Sequence, residues 1–169
     1  MSRNASFWIS HLNLSKHIEG GYFSEVYQSA AVLQPSQLPA HFASASTRHY
    51  CTHIYFLLEK GQFSALHRIK SDELWHFYDG DPIIIYEIET TGKLVQHVLG
   101  NDPLKGQRLF TMVKAGNWFG AVLNEETDYA LAGCTVSPGF DYADFEMANR
   151  EEMHSEFPQH KNVIDKLTR

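Results

Sequence analysis

The chain has 169 residues and a formal net charge of −6, enough length to bury one core and no basic footprint for nucleic acid. No apolar run approaches the ~18 residues that span a bilayer, and residues 1–15, MSRNASFWISHLNLS, lack the apolar core of a secretory signal. A cytoplasmic protein is expected, with Cys51 and Cys134 as buried reduced thiols, because neither has metal-ligand spacing and both fall in apolar strand patterns.

Ser6–Leu12 reads as a short helix capped by Asn4 or Ser6. Gly20-Gly21 follows Glu19 without the strand-to-helix context or lysine of a phosphate loop, and reads as a turn or close-approach point. Residues 30–49, AAVLQPSQLPAHFASASTRH, form a Pro- and Ser-rich loop of the kind that serves as a lid or mobile segment. Apolar runs then recur at Cys51–Leu58, Gln62–Ile69, Leu74–Tyr78, Ile83–Ile88, Leu94–Leu99, Leu109–Val113, Trp118–Leu123 and Tyr129–Val136. Gly, Asn, Asp and Pro turns separate them. Strands at this spacing with no helical period between them predict an all-β sandwich or barrel. Asn149 followed by REEMHSEF, and Gln159–Leu167, read as two short C-terminal helices.

If Lys60-Gly61 form a tight hairpin turn, Ile54 faces His67. Alternation then puts Ile54, Phe56 and Leu58 on one face with Phe63, Ala65, His67 and Ile69. That face is almost wholly apolar, so it is the barrel interior, and His67 stands in it. Glu73, if it faces the same way, brings Trp75 and Phe77 with it and sends His76 outward; a bulge in Lys70-Ser71-Asp72 would reverse this. A lone His67 would read as a core histidine satisfied by one backbone partner. The other histidines, of ten in all, lie mostly on polar segments and read as surface residues.

The run Gly61–Gly80, GQFSALHRIKSDELWHFYDG, resembles the first signature of the cupin superfamily, in which two histidines and a glutamate hold a metal. His67 and Glu73 match; the second histidine position is Ile69. In Val113–Phe119, Gly116 matches the turn glycine of the second signature, and Phe119 stands at its histidine position. The resemblance implies an all-β double-stranded β-helix, the cupin jelly-roll barrel, with short N- and C-terminal helices. It forms a single domain over 1–169: a barrel at about 18–146 and a helical segment at about 147–169. Two surviving ligands fall short of the three that catalytic metals use, so no cofactor is expected; a divalent metal at His67 and Glu73 is the alternative.

Blocks at Ile18–Ser29, His67–Pro82, Leu99–Gln107, Val113–Ala121 and Gly133–Glu146 are similar to a small single-domain cupin family of unassigned function. That resemblance implies a homodimer. The apolar outer face of the first hairpin, with Tyr55, Leu57 and Leu66, argues the same way unless terminal segments cover it. More distantly, Gly21-Tyr22-Phe23-Ser24-Glu25 and Ala65–Arg68 resemble the metal-free dTDP-sugar epimerases, which remove a proton beside a carbonyl with a histidine base and a tyrosine acid. This implies His67 as base, Glu73 as its orienting group and Tyr86, Tyr55 or Tyr78 as acid, with Tyr86 placed first.

The expected pocket is lined by Glu25, Phe56, Phe63, Ile69, Trp75, Phe77, Trp118 and Phe119. Arg48, Arg68 and Lys114 could meet an anionic ligand group, though such charges more often pair with nearby acids. The acidic C-terminal segment reads as a solvated face. Three function classes stay open: a metal-independent isomerase or epimerase acting on a small polar carbonyl or sugar-like compound, a non-catalytic small-ligand-binding protein, and a metal-dependent dioxygenase or isomerase.

Overall fold

The computed structural model describes residues 3–42, 46–124 and 126–169. It opens with α1 (Ala5–His11), whose first turn is capped by the Asn4 side chain accepting from the Phe7 N–H at 2.9 Å. Strands β1 (Ser15–Lys16), β2 (Tyr22–Gln28), β3 (Val32–Leu33) and β4 (Arg48–His49) precede the eight expected runs. Those are β5 (Thr52–Glu59), β6 (Phe63–Arg68), β7 (Asp72–Gly80), β8 (Ile83–Ile88), β9 (Leu94–Leu99), β10 (Phe110–Val113), β11 (Trp118–Leu123) and β12 (Tyr129–Ser137). A short β13 (Glu146–Met147) leads into α2 (Arg150–Glu156) and α3 (Lys161–Leu167), with Asn149 capping α2 as its sequence suggested.

Two antiparallel sheets enclose the core. One runs β1-β2-β5-β12-β7-β10 and the other β13-β6-β11-β8-β9. Their facing sides contribute Phe56, Leu58, Ile69, Trp75, Ile83, Ile85, Phe119, Ala132 and Val136 to one continuous apolar cluster. β5 and β6 are consecutive but belong to different sheets: β5 pairs with β2 and β12, β6 with β11 and β13. The expected ladder between Ile54 and His67 therefore does not form. The turn at Gly61 is a corner between sheets, and the two residues instead line one cavity in the barrel interior.

The second departure lies inside β6. His67 pairs with Phe119 and Ser64 with Ala121, so three residues of β6 are spanned by two of β11. A β-bulge absorbs the extra residue and inverts the alternation. Ser64 and His67 share a face, while Phe63 and Leu66 turn to the other side. Gly120 makes this possible, since a Cβ there would lie 2.7 Å from the Ser64 carbonyl oxygen. Strict alternation had placed Phe63 inward; it packs outside the barrel with the C-terminal helices.

The apolar outer faces are covered by the chain's own ends. Leu57 and Leu131 pack beneath Trp8, Ile9 and Leu12 of the N-terminal segment. Leu66, Ile88 and Val122 pack beneath Met153, Phe157, Ile164 and Leu167. Each such fully buried side chain contributes about 2 kcal/mol of apolar burial. The patch argument for pairing two copies thus loses its surface. The long loop is anchored on either side of residues 43–45, which lie outside the described residues. Phe42 is buried, His41 Nε2 meets the Lys70 carbonyl at 2.9 Å, and Arg48 grips Asp144 through contacts of 2.6 and 3.0 Å.

Candidate functional site

A cavity of about 140 Å³ opens between the sheets, lined by His17, Glu19, Phe23, Glu25, Thr52, Ile54, His67, Ile69, Glu73, Cys134, Val136, Phe140, Tyr142 and Phe145. Its polar end is assembled from three places. The bulge aims His67 and Ser64 inward. The first inward residue of β7 is Glu73, and β12 supplies Cys134 beside it. Glu19 arrives on the segment before β2: its carbonyl accepts from the Ala65 N–H at 2.8 Å, and Gly20, at φ +114°, lies against the Phe63 carbonyl where no Cβ would fit.

The hydrogen bonds fix where protons can sit. His67 Nδ1 lies 2.7 Å from the Ala65 carbonyl oxygen. A carbonyl only accepts, so Nδ1 carries a hydrogen. Nε2 meets Glu19 Oε2 at 3.1 Å, and one proton shared there completes the contact, held by the carboxyl or by the imidazole. Glu19 Oε1 accepts from the Ser64 hydroxyl at 3.0 Å, and His17 Nδ1 lies 3.6 Å from Oε2. Burial pushes the Glu19 carboxyl up to about 7, against the opposing pull of His17, the Ser64 hydrogen bond and Arg169. Burial likewise lowers His67, with the Glu73 charge and the Ala65 hydrogen bond acting the other way. Both shifts favour the neutral arrangement, with a protonated Glu19 donating to Nε2.

Glu73 is also pushed up to about 7, chiefly by burial and further by Glu19, while His67 and a hydrogen bond from Cys134 pull it down. Burial among these acids raises the Cys134 thiol well above its ordinary range, so it is a weak donor and no nucleophile. The site therefore holds two carboxyls poised near neutrality together with a buried imidazole, in a cavity also lined by Phe23, Ile54, Ile69, Val136, Phe140 and Phe145.

Of the residues singled out from sequence, His67, Glu73, Ile69 and Glu25 line this cavity, Glu25 at its exposed rim. Phe56, Trp75, Phe77 and Phe119 belong to the core cluster beneath it, and the Phe119 ring lies 4.1 Å from that of His67. Phe63, Trp118 and Tyr86 pack on the opposite face of their sheet under the C-terminal helices. Alternation along β8 turns Tyr86 outward when Ile83 and Ile85 turn in, which removes it as an acid in this cavity. Tyr78 bonds His53 Nε2 at 3.1 Å and packs on Tyr55, away from the cavity lining.

Arg48 serves Asp144 and does not line the cavity. Arg68 pairs with Glu146 at 2.8 Å and lies over the Trp118 ring, and Lys114 is exposed. The C-terminal acids are less solvated than expected, since Asp144 is buried against Arg48. Several histidines expected at the surface are bonded, among them His97, which meets the buried Glu87 at 2.7 Å. His17, Glu19, Cys134 and the Phe140–Phe145 wall were not assigned to the cavity from sequence, although Cys134 was expected to be a buried thiol and is one. The available signal was an acid directly before two glycines, a combination that places a carboxylate at a close backbone approach.

The two positions that depart from the metal-binding signature contribute no ligand. Ile69 and Phe119 offer no donor, both ring nitrogens of His67 are engaged, and among the described residues no three His, Cys, Asp or Glu side chains converge as a ligand set.

Two antiparallel sheets closing on an inward histidine and glutamate define a cupin-type jelly roll. The chain belongs to the family described as Cupin superfamily (DUF985), whose model matches residues 6–148. A protein from Shewanella oneidensis of solved structure is 38% identical, with a TM-score of 0.89 and 99% of each chain covered. A hypothetical protein from Leishmania major is 33% identical, with a TM-score of 0.88 over 98% of this chain and 99% of that one. Oxalate decarboxylase from Bacillus subtilis shares the fold at a TM-score of 0.55 and 16% identity, over 90% of this chain and 36% of its own. No curated protein matches.

Proposed function

We propose that this cupin is a metal-independent acid–base enzyme that moves a proton beside the carbonyl of a small compound, as isomerases and epimerases do. The observation that carries the reading is the 3.1 Å contact between Glu19 Oε2 and His67 Nε2, beside a second carboxyl that burial raises to about 7. A base of that pKa is half ionised at neutral pH, where general catalysis is most effective. Because both nitrogens of His67 are engaged, the group free to touch substrate is Glu73. Its carboxylate takes the proton from the carbon next to the carbonyl, the C–H electron pair passing into the enolate, and the same acid returns it to that carbon as the carbonyl re-forms, so no redox partner is needed. The Glu19–His67 pair shapes the cavity's polar end beside that carboxylate.

Volume limits the substrate. A cavity of about 150 Å³ holds a benzene-sized molecule, and this one measures about 140 Å³, so a sugar nucleotide exceeds it. The test is hydrogen exchange from D₂O into a panel of small ketones and aldehydes, followed by NMR. Enzyme-dependent exchange that falls at least ~100-fold in Glu73→Gln supports the reading. Exchange no faster than in buffer across the panel, or undiminished in the variant, overturns it.

A further inference from the structure

We infer that the ligand of this cavity carries a positive charge, so that the substrate class is a small amine-bearing carbonyl compound and not a carboxylic acid or phosphate. The lining supports this by what it contains and what it omits. Three glutamates, Glu19, Glu25 and Glu73, face the cavity, and no lysine or arginine is among its described lining residues. An anionic ligand would meet no compensating charge there. Glu73 is 8% exposed, and its hydrogen-bonding neighbour is the weak Cys134 thiol. A carboxylate offers about four acceptor sites, so most of its capacity is directed at whatever fills the cavity.

The remaining wall is aromatic. Phe140 and Tyr142 meet edge to face at 5.0 Å, and Phe145 lies 6.2 Å from each. Phe23 lines the same cavity. Rings beside a carboxylate are the means by which proteins bind ammonium groups. The rings are held in place: Asp144, between Tyr142 and Phe145, is fixed by the two contacts from Arg48.

This inference takes the cavity of the proposed function as its site, but it is tested without turnover. Tetramethylammonium, about benzene's size, is titrated into the intact protein while the ring protons of the aromatic residues are followed by NMR, with tert-butanol and acetate as neutral and anionic counterparts. Saturable cation binding is expected, at least ~10-fold tighter than either counterpart at pH 8. Between pH 6 and 7 the affinity should rise up to ~10-fold as a carboxyl ionises, and Glu73→Gln should at least halve that slope, the remainder belonging to Glu19.

The titratable and charged groups around Glu73 are His17, Glu19, His67 and Cys134, with Glu25 and Tyr142 at the rim and Arg169 bonded behind Glu19. Glu25→Gln therefore controls for a merely rim effect and should keep the slope. Absence of saturable cation binding, equal binding of tert-butanol, or a slope undiminished in Glu73→Gln overturns the inference. Exchange into carbonyl probes without cation binding would sink the charge assignment and leave the acid–base reading intact; cation binding without exchange would do the reverse.

Discussion

Glu19 Oε2 and His67 Nε2 lie 3.1 Å apart at the polar end of the cavity, and the bond between them has room for one proton. His67 is on a barrel strand, whereas Glu19 is on the segment leading into β2 and reaches the histidine by pairing its own carbonyl with Ala65. Ionisation at the site therefore depends on how that segment is docked.

The first expectation is an unusual pH dependence of stability. Glu73 rises from an ordinary 4.5 to about 7 on folding, so the folded protein binds this proton more tightly than the unfolded chain. The contribution is fully present below pH 4.5 and is lost as pH rises through about 7. His17 and His67 are lowered and act in the opposite sense, so the difference between wild type and Glu73→Gln isolates the acid. The variant should gain on wild type between pH 4.5 and 7, by up to about 3 kcal/mol. Parallel stability curves from urea melts across that range would contradict the assignment.

Gly20 offers a backbone test. At φ +114° against the Phe63 carbonyl it has no space for a Cβ, whereas Gly61 at φ +79° has open space around it. Gly61→Ala should cost about 1 kcal/mol from conformation alone. Gly20→Ala should cost more than about 2 kcal/mol and shift the His67 ring signals as Glu19 is displaced. Equal costs for the two variants would mean that the approach is looser than described.

Arg48 and Asp144 form a buried pair at 2.6 and 3.0 Å. Arg48→Met leaves the Asp144 charge with Lys70 at 3.5 Å as its remaining described cation, and should cost about 3 kcal/mol. Adding Asp144→Leu should recover much of that loss. A double variant as unstable as the sum of the two singles would show that the pair is not coupled.

Elemental analysis of the purified protein should find under ~0.1 transition-metal ion per chain, because Ile69 and Phe119 supply no ligand. A chelator should leave the melting temperature unchanged. About one zinc, iron, manganese or nickel per chain would require a different arrangement of His67 and Glu73.

The eight core strands were legible because their apolar runs end in residues that do little but turn: Gly61, Gly80, Gly92 and Gly116 all have positive φ. The helix starts at Asn4, one of two expected caps, and after Asn149 were legible for a similar reason, since each side chain acts on its own next turn. β2 was missed because half of it is exposed and Tyr22–Gln28 shows no clean alternation. His67 and Glu73 were found through spacing within one stretch. Glu19 and the Phe140–Phe145 wall reach the cavity through long-range docking, which leaves no local period. The bulge was invisible too, because its cause is a missing side chain at Gly120 on another strand.

The inverted alternation in β6 makes that strand a wall shared by two rooms. Ser64 and His67 furnish the cavity, while Phe63 and Leu66 hold up the C-terminal helices, and the Leu66 carbonyl accepts from the Ala148 N–H at 2.9 Å. Although α2 and α3 place no residue in the cavity lining, they press on the peptide units that aim its histidine. Fraying of those helices would be felt at the imidazole one residue away, long before the barrel itself gave way.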